Sequence, residues 1–186
     1  DTNPQEKALA RVATPAAKYF NCSRVVAMAN EALQCHGGNG FVEDHPMARL
    51  YREAPLNSVW EGAANMMCMD VRRAMQQEAN SRDALFAELA DVRGQDSRFD
   101  AYVTALGPLL DEMQHEEFFA RPATEGIARA LQGAELLRHS TPEVIDIFMK
   151  TRLGGGTNNW GAMFGTLGPG VTQSQADRVV ERACLW

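Results

Sequence analysis

Three closely spaced glycines follow a helical pattern and could bring backbone close to a phosphate-bearing ligand. The segment Gln34-Cys35-His36-Gly37-Gly38-Asn39-Gly40 places them just past the end of that pattern. Backbone without a Cβ atom can approach a phosphate or an adenosine closely and offer its N–H groups as donors. The same glycines are also typical of a plain helix C-cap and turn. Taken alone, the segment favours that simpler interpretation.

Glu61 is the side chain best suited to act as a base. A carboxylate becomes a stronger base in an apolar surrounding that holds little water. Trp60 and Met66 or Met67 could supply the walls of such a pocket. The alternative role is that of an acidic residue in the first turn of a helix, where it complements the helix dipole, and the sequence taken alone favours this alternative.

A metal centre is not predicted. Glu112-x-x-His115 matches half of the pattern of a di-iron helical bundle, but the sequence has no second pair of this kind, and two are required. The other three histidines, His36, His45 and His139, show no ligand spacing among themselves.

The composition argues against nucleic-acid and membrane roles. The 186 residues carry a formal net charge of −6 and 45% hydrophobic side chains, which favours a packed core over non-specific binding to nucleic acid. Arg72 and Arg73 could contact phosphate, but two arginines are a small footprint for DNA. No apolar run approaches the roughly eighteen residues of a membrane span. The four cysteines lack a CxxC pair and suit buried, reduced thiols in a cytoplasmic protein.

Helical periodicity predicts an all-α protein in which antiparallel helices position these residues. Thr14-Pro15 predicts the start of a first helix that ends at Gly37-Gly38. Its apolar stripe consists of Tyr19, Cys22, Val26, Ala29 and Leu33. A short helical turn is predicted from Pro46 to Arg52, and a long helix from near Trp60. The inward face of that helix would carry Ala64, Met67, Val71, Ala74 and Met75.

Further helices are predicted along the rest of the chain. They cover about 83–92, 99–113 with a kink or break at Gly107-Pro108, a segment from Pro122, and 142–152 after the cap Thr141. The glycine-rich segment 153–170 is predicted to be a loop, and a last short helix is predicted over 173–185. The first residues, which begin with Asp1, are typical of the interior of a longer protein.

The stretch Glu31 to Met75 resembles the signature of the acyl-CoA dehydrogenases. In that family a helix ends in Q-x-x-G-G-x-G-[FY], a later turn reads R-x-[YM]-R-[DE]-A, and a Y/W-E-G precedes the next helix. The chain has QCHGGNGF, RLYREA and WEG in the same order and spacing. Three segments are similar to one branch of this family, the AidB-type flavoproteins of the adaptive response to alkylating agents. They are PLNSVWEGAANMMCMDVRR, TPAAKYFNCSR and RGQDSRFD.

The resemblance implies a fold, a cofactor and residue roles. It implies an up-down helical bundle, the family's C-terminal domain, over residues 1–100, with a helical extension over 101–186. It implies FAD as cofactor, with Gln34, Gly37 and Gly38 reaching across a dimer interface to the FAD of the neighbouring subunit. It implies that Glu61 removes the α-proton of an acyl-CoA thioester while the β-hydride leaves for the flavin. We therefore expect the glycine turn and Glu61 to form two walls of one pocket.

Departures from the family pattern suggest an altered acyl site. Ala63 stands where the main family has a threonine that helps to hold the flavin, and Trp60 replaces the usual tyrosine. The alternative function is a DNA-binding or DNA-protecting flavoprotein with little dehydrogenase turnover, which the acidic charge does not support. We expect a homodimer or homotetramer. We also expect these residues alone to bind FAD weakly or not at all and to be inactive.

Overall fold

The computed structural model of the protein describes residues 3–154, 167 and 170–184, and within them it contains helices and no β-strand. This confirms the all-α prediction. The helices are α1 (Pro4–Cys35), α2 (Gly38–Phe41), α3 (Pro46–Glu53), α4 (Ala64–Gln77), α5 (Ala79–Ala90), α6 (Ser97–His115), α7 (Ala120–His139), α8 (Pro142–Phe148) and α9 (Gln173–Ala183). Short 3-10 turns cover Ala54–Ser58 and Glu117–Phe119, and Met149–Leu153 is π-helical. Most of the predicted loop 153–170 lies outside the described residues.

The chain divides into two compact units, and each unit is built from two stretches of sequence. The first unit consists of Asp1–Leu85 and Leu109–Ala128, and the second of Phe86–Pro108 and Arg129–Trp186. The division into a family domain over 1–100 and an extension over 101–186 stays a prediction.

Helix α1 of the first unit starts earlier than its sequence predicts. Asn3 is the N-cap, with its side-chain oxygen accepting a hydrogen bond from the Gln5 N–H at 3.0 Å, and Pro15 lies inside the helix. The predicted start at Thr14-Pro15 is therefore wrong. A proline inside a helix costs about 3 kcal/mol, but Val12, Pro15, Ala16 and Tyr19 form one buried face. Burial of that continuous face offsets the cost.

Arg11 joins α1 to α4. Its guanidinium donates two hydrogen bonds to the Asp70 carboxylate, at 2.8 and 2.9 Å, and one to Glu78 at 2.9 Å. The Arg11 hydrogen bonds hold the pKa of Asp70 below its usual value. A two-pronged contact of this kind fixes orientation as well as distance, so the first half of α1 holds α4 in register.

The buried face of α4 agrees in part with its prediction. Val71, Ala74 and Met75 are buried as predicted, and Cys68 joins them, whereas Ala64 and Met67 are only half-buried. Burial raises the pKa of the Cys68 thiol. Cys35 and Cys184 are exposed and Cys22 is half-buried, so the prediction of buried thiols holds for Cys68 alone.

Helix α6 is continuous through Gly107-Pro108, so the chain does not break there, and the predicted kink stays a prediction. Buried side chains lie on both sides of the proline, and these are Phe99, Leu106, Leu110 and Met113. The C-terminal end of α6 is capped from α4. Arg72 donates to the carbonyls of Met113 and Gln114 at 2.8 and 3.1 Å, and Gln76 donates to Gln114 at 2.9 Å.

The second unit gathers its polar contacts around Asp146 on α8. The Asp146 carboxylate accepts hydrogen bonds from Lys150 at 2.7 Å, Arg98 at 2.8 Å and Gln175 at 2.9 Å. The Lys150 contact, followed by those of Arg98 and Gln175, lowers the pKa of Asp146 to about 2. Gln175 also closes a capping box with Thr172 at the start of α9. Asp146 thus ties α6, α8 and α9 together.

The low pKa of Asp146 predicts a loss of stability in acid. Because its pKa is about 2 in the folded protein and about 3.9 in an unfolded chain, the unfolded state takes up the proton first as the pH falls. The stabilisation is therefore present above about pH 4 and is lost between about pH 4 and pH 2. Asp146→Asn should lower the free energy of unfolding at pH 7 by about 1–2 kcal/mol, allowing for solvent screening.

Urea titrations at a series of pH values test this expectation. Asp83→Asn is the matched control, because Asp83 is exposed and forms no ion pair within the described residues. The role given to Asp146 is wrong if Asp146→Asn loses stability between pH 4 and pH 2 as steeply as the unchanged protein.

Candidate functional site

The glycine turn closes the C-terminal end of α1. The His36 N–H donates to the Leu33 carbonyl at 3.1 Å and the Gly37 N–H to the Gln34 carbonyl at 3.0 Å. Gly37 has a φ of 57°, which glycine adopts without a steric penalty, and α2 begins at the next residue. The prediction that Gly37-Gly38 ends the first helix is confirmed.

The residues predicted to contact a flavin lie on an open part of this turn. Gln34, Gly37 and Gly38 are all exposed. A Cβ atom added to Gly37 or Gly38 would meet no heavy atom within 4 Å. Gly40 differs, since a Cβ atom there would collide with the Leu33 carbonyl oxygen. Within the described structure, the backbone angle explains why position 37 is glycine, and close packing explains why position 40 is glycine. No contact requires glycine at position 38.

The loop that carries Glu61 is fixed to the middle of α1 by a lysine. Lys18 donates from Nζ to the carbonyl of Asn57 at 2.6 Å and to the carbonyl of Trp60 at 3.1 Å. The 3-10 turn that precedes the Glu61 loop also packs on α1 and α3. Pro55 occupies the first turn of this 3-10 segment, where its missing N–H is tolerated, so α3 ends close to the predicted position.

Glu61 stands in a strained backbone conformation. Its φ is 53°, and among the described residues it is the one non-glycine residue with a positive φ. Gly62 follows with a φ of 112°, and a Cβ atom at Gly62 would collide with the Met67 side chain. A left-handed conformation costs a residue with a Cβ atom about 1–2 kcal/mol. These two residues also explain why α4 begins at Ala64 and not near Trp60 as predicted.

The described residues leave Glu61 open to solvent. Glu61 is exposed, and the expected walls, Trp60 and Met66, are 54% and 56% exposed. Met67 is half-buried and packs against Gly62. The expectation of a water-poor pocket built by Trp60 and Met66 is therefore not met by the residues that the structure describes, and exclusion of water from Glu61 would require another part of the protein or a partner.

The glycine turn and Glu61 do not line one pocket of a single chain. The Glu61 loop is anchored at Lys18, whereas Gln34 lies sixteen residues later in the same helix. At a rise of 1.5 Å per residue this separation is about 24 Å along the helix axis. The expectation of two walls of one pocket is thus wrong for one chain. An arrangement in which the turn serves a neighbouring subunit remains compatible with this spacing.

An open apolar surface accompanies both candidate segments. It comprises the exposed side chains of Met28, Phe41, Val42, Leu50, Tyr51, Leu56, Val59, Trp60 and Met66. Four of the nine, Phe41, Leu50, Tyr51 and Leu56, lie on α2, α3 and the 3-10 turn, which are too short to show a clear apolar period. Apolar residues gathered on a surface in this way are typical of contacts with another domain or subunit.

The two arginines of α3 differ in their contacts. Arg52 pairs with Glu43, at 2.5 and 3.0 Å, and not with Glu53. Arg49 forms no side-chain hydrogen bond or ion pair with any residue that the structure describes. Arg72 caps α6 through backbone carbonyls and Arg73 lies 3.5 Å from Asp70, so both side chains already have contacts within the described chain.

No group of three or more histidine, cysteine, aspartate or glutamate side chains in the described ranges has the spacing of a metal centre. Likewise, none of the helices in those ranges combines the length and apolar character that crossing a bilayer requires.

Comparison with known proteins identifies the class to which this fold and site belong. Residues 2–76 match the family model of the acyl-CoA dehydrogenase C-terminal domain. The chain belongs to the acyl-CoA dehydrogenase family, and the match covers both the glycine turn and Glu61. The family predicted from the Glu31–Met75 signature is thereby confirmed.

Individual relatives place the chain within this family. It is 36% identical over 149 residues to the putative acyl-CoA dehydrogenase AidB of Escherichia coli strain K12, a match that covers 80% of this chain and 27% of that protein. It is 32% identical over 74 residues to the mitochondrial isobutyryl-CoA dehydrogenase of Bos taurus, which covers 40% of this chain and 18% of that protein. The chain thus spans about a quarter of the length of the first of these relatives.

A solved structure supports the fold. The chain is similar to Caenorhabditis elegans ACDH-11, solved in complex with C11-CoA, with a TM-score of 0.64 and 24% identity. The match covers 80% of this chain and 29% of that one. At this level of identity the likeness shows a shared fold and no more.

The strained backbone at Glu61 predicts that a glycine there stabilises the protein. Glu61→Gly should raise the free energy of unfolding by about 0.5–1 kcal/mol, because glycine adopts a positive φ without strain. Glu53→Gly is the control, since Glu53 is exposed with a φ of −75° and should lose about 0.5–1 kcal/mol. Urea unfolding followed by circular dichroism measures both. Equal destabilisation by the two substitutions would show that Glu61 is not strained.

Proposed function

We propose that the protein containing this chain is an FAD-dependent oxidoreductase that introduces a double bond between the α and β carbons of an acyl-CoA thioester. Glu61 is the base in this proposal. The observation that carries it is the positive φ of Glu61, which the chain retains although a glycine would relieve it. Strain of this kind is concentrated at functional residues.

Each group has one task in the reaction. The Glu61 carboxylate takes the proton from the α carbon of the thioester, and the hydride leaves the β carbon. FAD supplies the hydride acceptor when it is bound. Lys18 acts as a positioning residue, since its two hydrogen bonds to carbonyls of the loop hold the backbone next to Glu61. Trp60 and Met66 offer the apolar surface that a thioester chain would cover.

The glycine turn is suited to contact a cofactor that is bound by another subunit. Gly37 and Gly38 present exposed backbone, and no atom of the described structure fills the space that a Cβ atom would take. With Gln34 beside them, they form a surface that a dinucleotide can approach closely. In this proposal the turn contacts the FAD of a neighbouring subunit, which the family resemblance implies and which the spacing of about 24 Å along α1 supports.

An assembly follows from this proposal. The open apolar surface and the separation of the two segments favour a homodimer or homotetramer. We further propose that the 186 residues alone bind FAD weakly and do not turn over, because Glu61 is exposed to water. We also propose a family domain over residues 1–100, an extension over residues 101–186 and a cytoplasmic location. DNA binding is not favoured, since Arg72 and Arg73 already have protein partners.

Removal of the proposed base should abolish turnover without loss of the flavin. In the full-length protein, Glu61→Gln should lower kcat with an acyl-CoA and an artificial electron acceptor by about 10²–10⁴-fold. The visible flavin spectrum should be unchanged, because glutamine keeps the shape of the loop. Steady-state kinetics and absorbance spectra give both readouts.

Glu53→Gln is the matched control, because Glu53 is an exposed glutamate in the same region. It should retain the activity of the unchanged protein. An active Glu61→Gln protein would rule out Glu61 as the base. A yellow protein that is inactive with every acyl-CoA yet retards duplex DNA with a steep salt dependence would instead support the DNA-protecting alternative.

The exposed glycine turn predicts a steric test of the flavin contact. Gly38→Leu should weaken FAD binding about tenfold or more, since the added side chain occupies the space assigned to the cofactor. Gly107→Leu is the control, because a Cβ atom at either position meets no heavy atom within 4 Å and both glycines lie in helices. Flavin content after gel filtration compares them. Equal FAD retention in both proteins would contradict the assignment.

A further inference from the structure

Helix α9 lies against α8 in the second unit and buries none of its own residues within the described structure. Its inner face, formed by Gln175, Ala176 and Val179, is only half-buried, and Val180 is 61% exposed. Burial of apolar surface is the main term that holds protein elements together. The packing of α9 therefore contributes little to its attachment.

Hydrogen bonds that involve a charged group join the two helices about once per turn of α9. Between described residues these are Gln175 to Asp146 at 2.9 Å, Arg178 to Glu143 at 2.8 Å and Arg182 to Ser140 at 2.9 Å. The number of the acceptor residue falls as that of the donor residue rises, so the two helices run antiparallel. The Arg178 side chain is 63% exposed, and dissolved salt screens charged contacts of this kind.

Helix α8 is anchored without the help of α9. It continues into the π-helical segment, in which Met149 is 0% and Leu153 is 3% exposed. The Asp146 carboxylate also accepts hydrogen bonds from Arg98 and Lys150. Since none of these contacts involves α9, α8 keeps its place when α9 leaves.

Helix α9 is too short to remain helical by itself. It has 11 residues, and isolated helices below about 12–15 residues are marginal in water. The capping box of Thr172 and Gln175 satisfies only its first turn. Detachment from α8 therefore exposes the backbone amides of α9 to exchange with solvent.

We propose that α9 is a detachable strap on α8, held mainly by charged hydrogen bonds. It opens as one unit at a low free-energy cost, while α8 and its contacts with α6 stay in place. A rise in ionic strength favours the open form and frees the carboxylate of Glu143. The strap involves neither Glu61 nor the glycine turn, so it does not depend on the proposed dehydrogenase activity.

Hydrogen exchange of the full-length protein, followed by mass spectrometry, tests the strap. Between about 0.01 M and about 1 M sodium chloride the Debye length falls from about 30 Å to about 3 Å. The protection factors of the α9 amides should fall about fivefold or more over this range. Those of Met149–Leu153 should not change, because burial of apolar side chains protects them.

Glu143→Gln removes the ion pair from the α8 side and leaves the sequence of α9 unchanged. At low salt it should lower the protection of the α9 amides about two- to fivefold. Arg178→Gln should have the same effect. The double variant should lose no more than either single variant, because both substitutions remove one shared contact.

Glu181→Gln is the matched control. Glu181 is exposed on α9, and its side chain has no partner among the residues that the structure describes. Its substitution should leave the protection of α9 unchanged at every salt concentration. Circular dichroism checks that each variant is folded.

Three results would overturn the proposal. They are a common exchange rate for α9 and Met149–Leu153, protection of α9 that does not depend on salt, and equal protection in the Glu143→Gln and Glu181→Gln proteins. Since none of these results involves flavin or turnover, failure here is distinguishable from failure of the dehydrogenase proposal.

Discussion

The hydrogen bonds from Lys18 to the carbonyls of Asn57 and Trp60 are the contact on which the candidate site depends. They hold the end of a 3-10 turn against α1 through an ammonium group, which can satisfy two carbonyls at once. The chain must then enter α4 within a few residues, and it does so through the positive φ angles of Glu61 and Gly62. The exposed carboxylate and its strained backbone are therefore consequences of where α1 holds the loop.

Helix α1 also separates the two candidate segments. Its early start at Pro4 and its continuation through Pro15 make it long enough to hold Glu61 near its middle and the glycine turn at its end. A helix is stiff, so the distance between them is set by the number of residues and not by loop flexibility. In the proposed function the two segments therefore serve one active site where two chains meet. The exposed side chains around α2 and α3 supply an apolar surface for such a contact.

Arginines provide most of the specific contacts within each unit. Arg11 fixes α4 on α1, and Arg72 closes the end of α6, while Arg98 and Arg138 connect the elements of the second unit. Arg72 and Arg73 take part in such contacts, with the end of α6 and with Asp70, so both side chains are engaged within the described chain.

The sequence by itself determined the helical class, the family, the end of α1 at the glycines, the cap at Thr141 and much of the buried face of α4. These features depend on local periodicity and on residues with special backbone preferences, which neighbouring positions encode. Tertiary structure decided the rest. Pro15 and Pro108 stay inside helices because packing on both sides outweighs their local penalty, and Arg72 faces a helix end and not solvent because α6 lies there. Only the fold showed the strain at Glu61, its exposure and its distance from the glycine turn, since these depend on contacts between residues far apart in sequence.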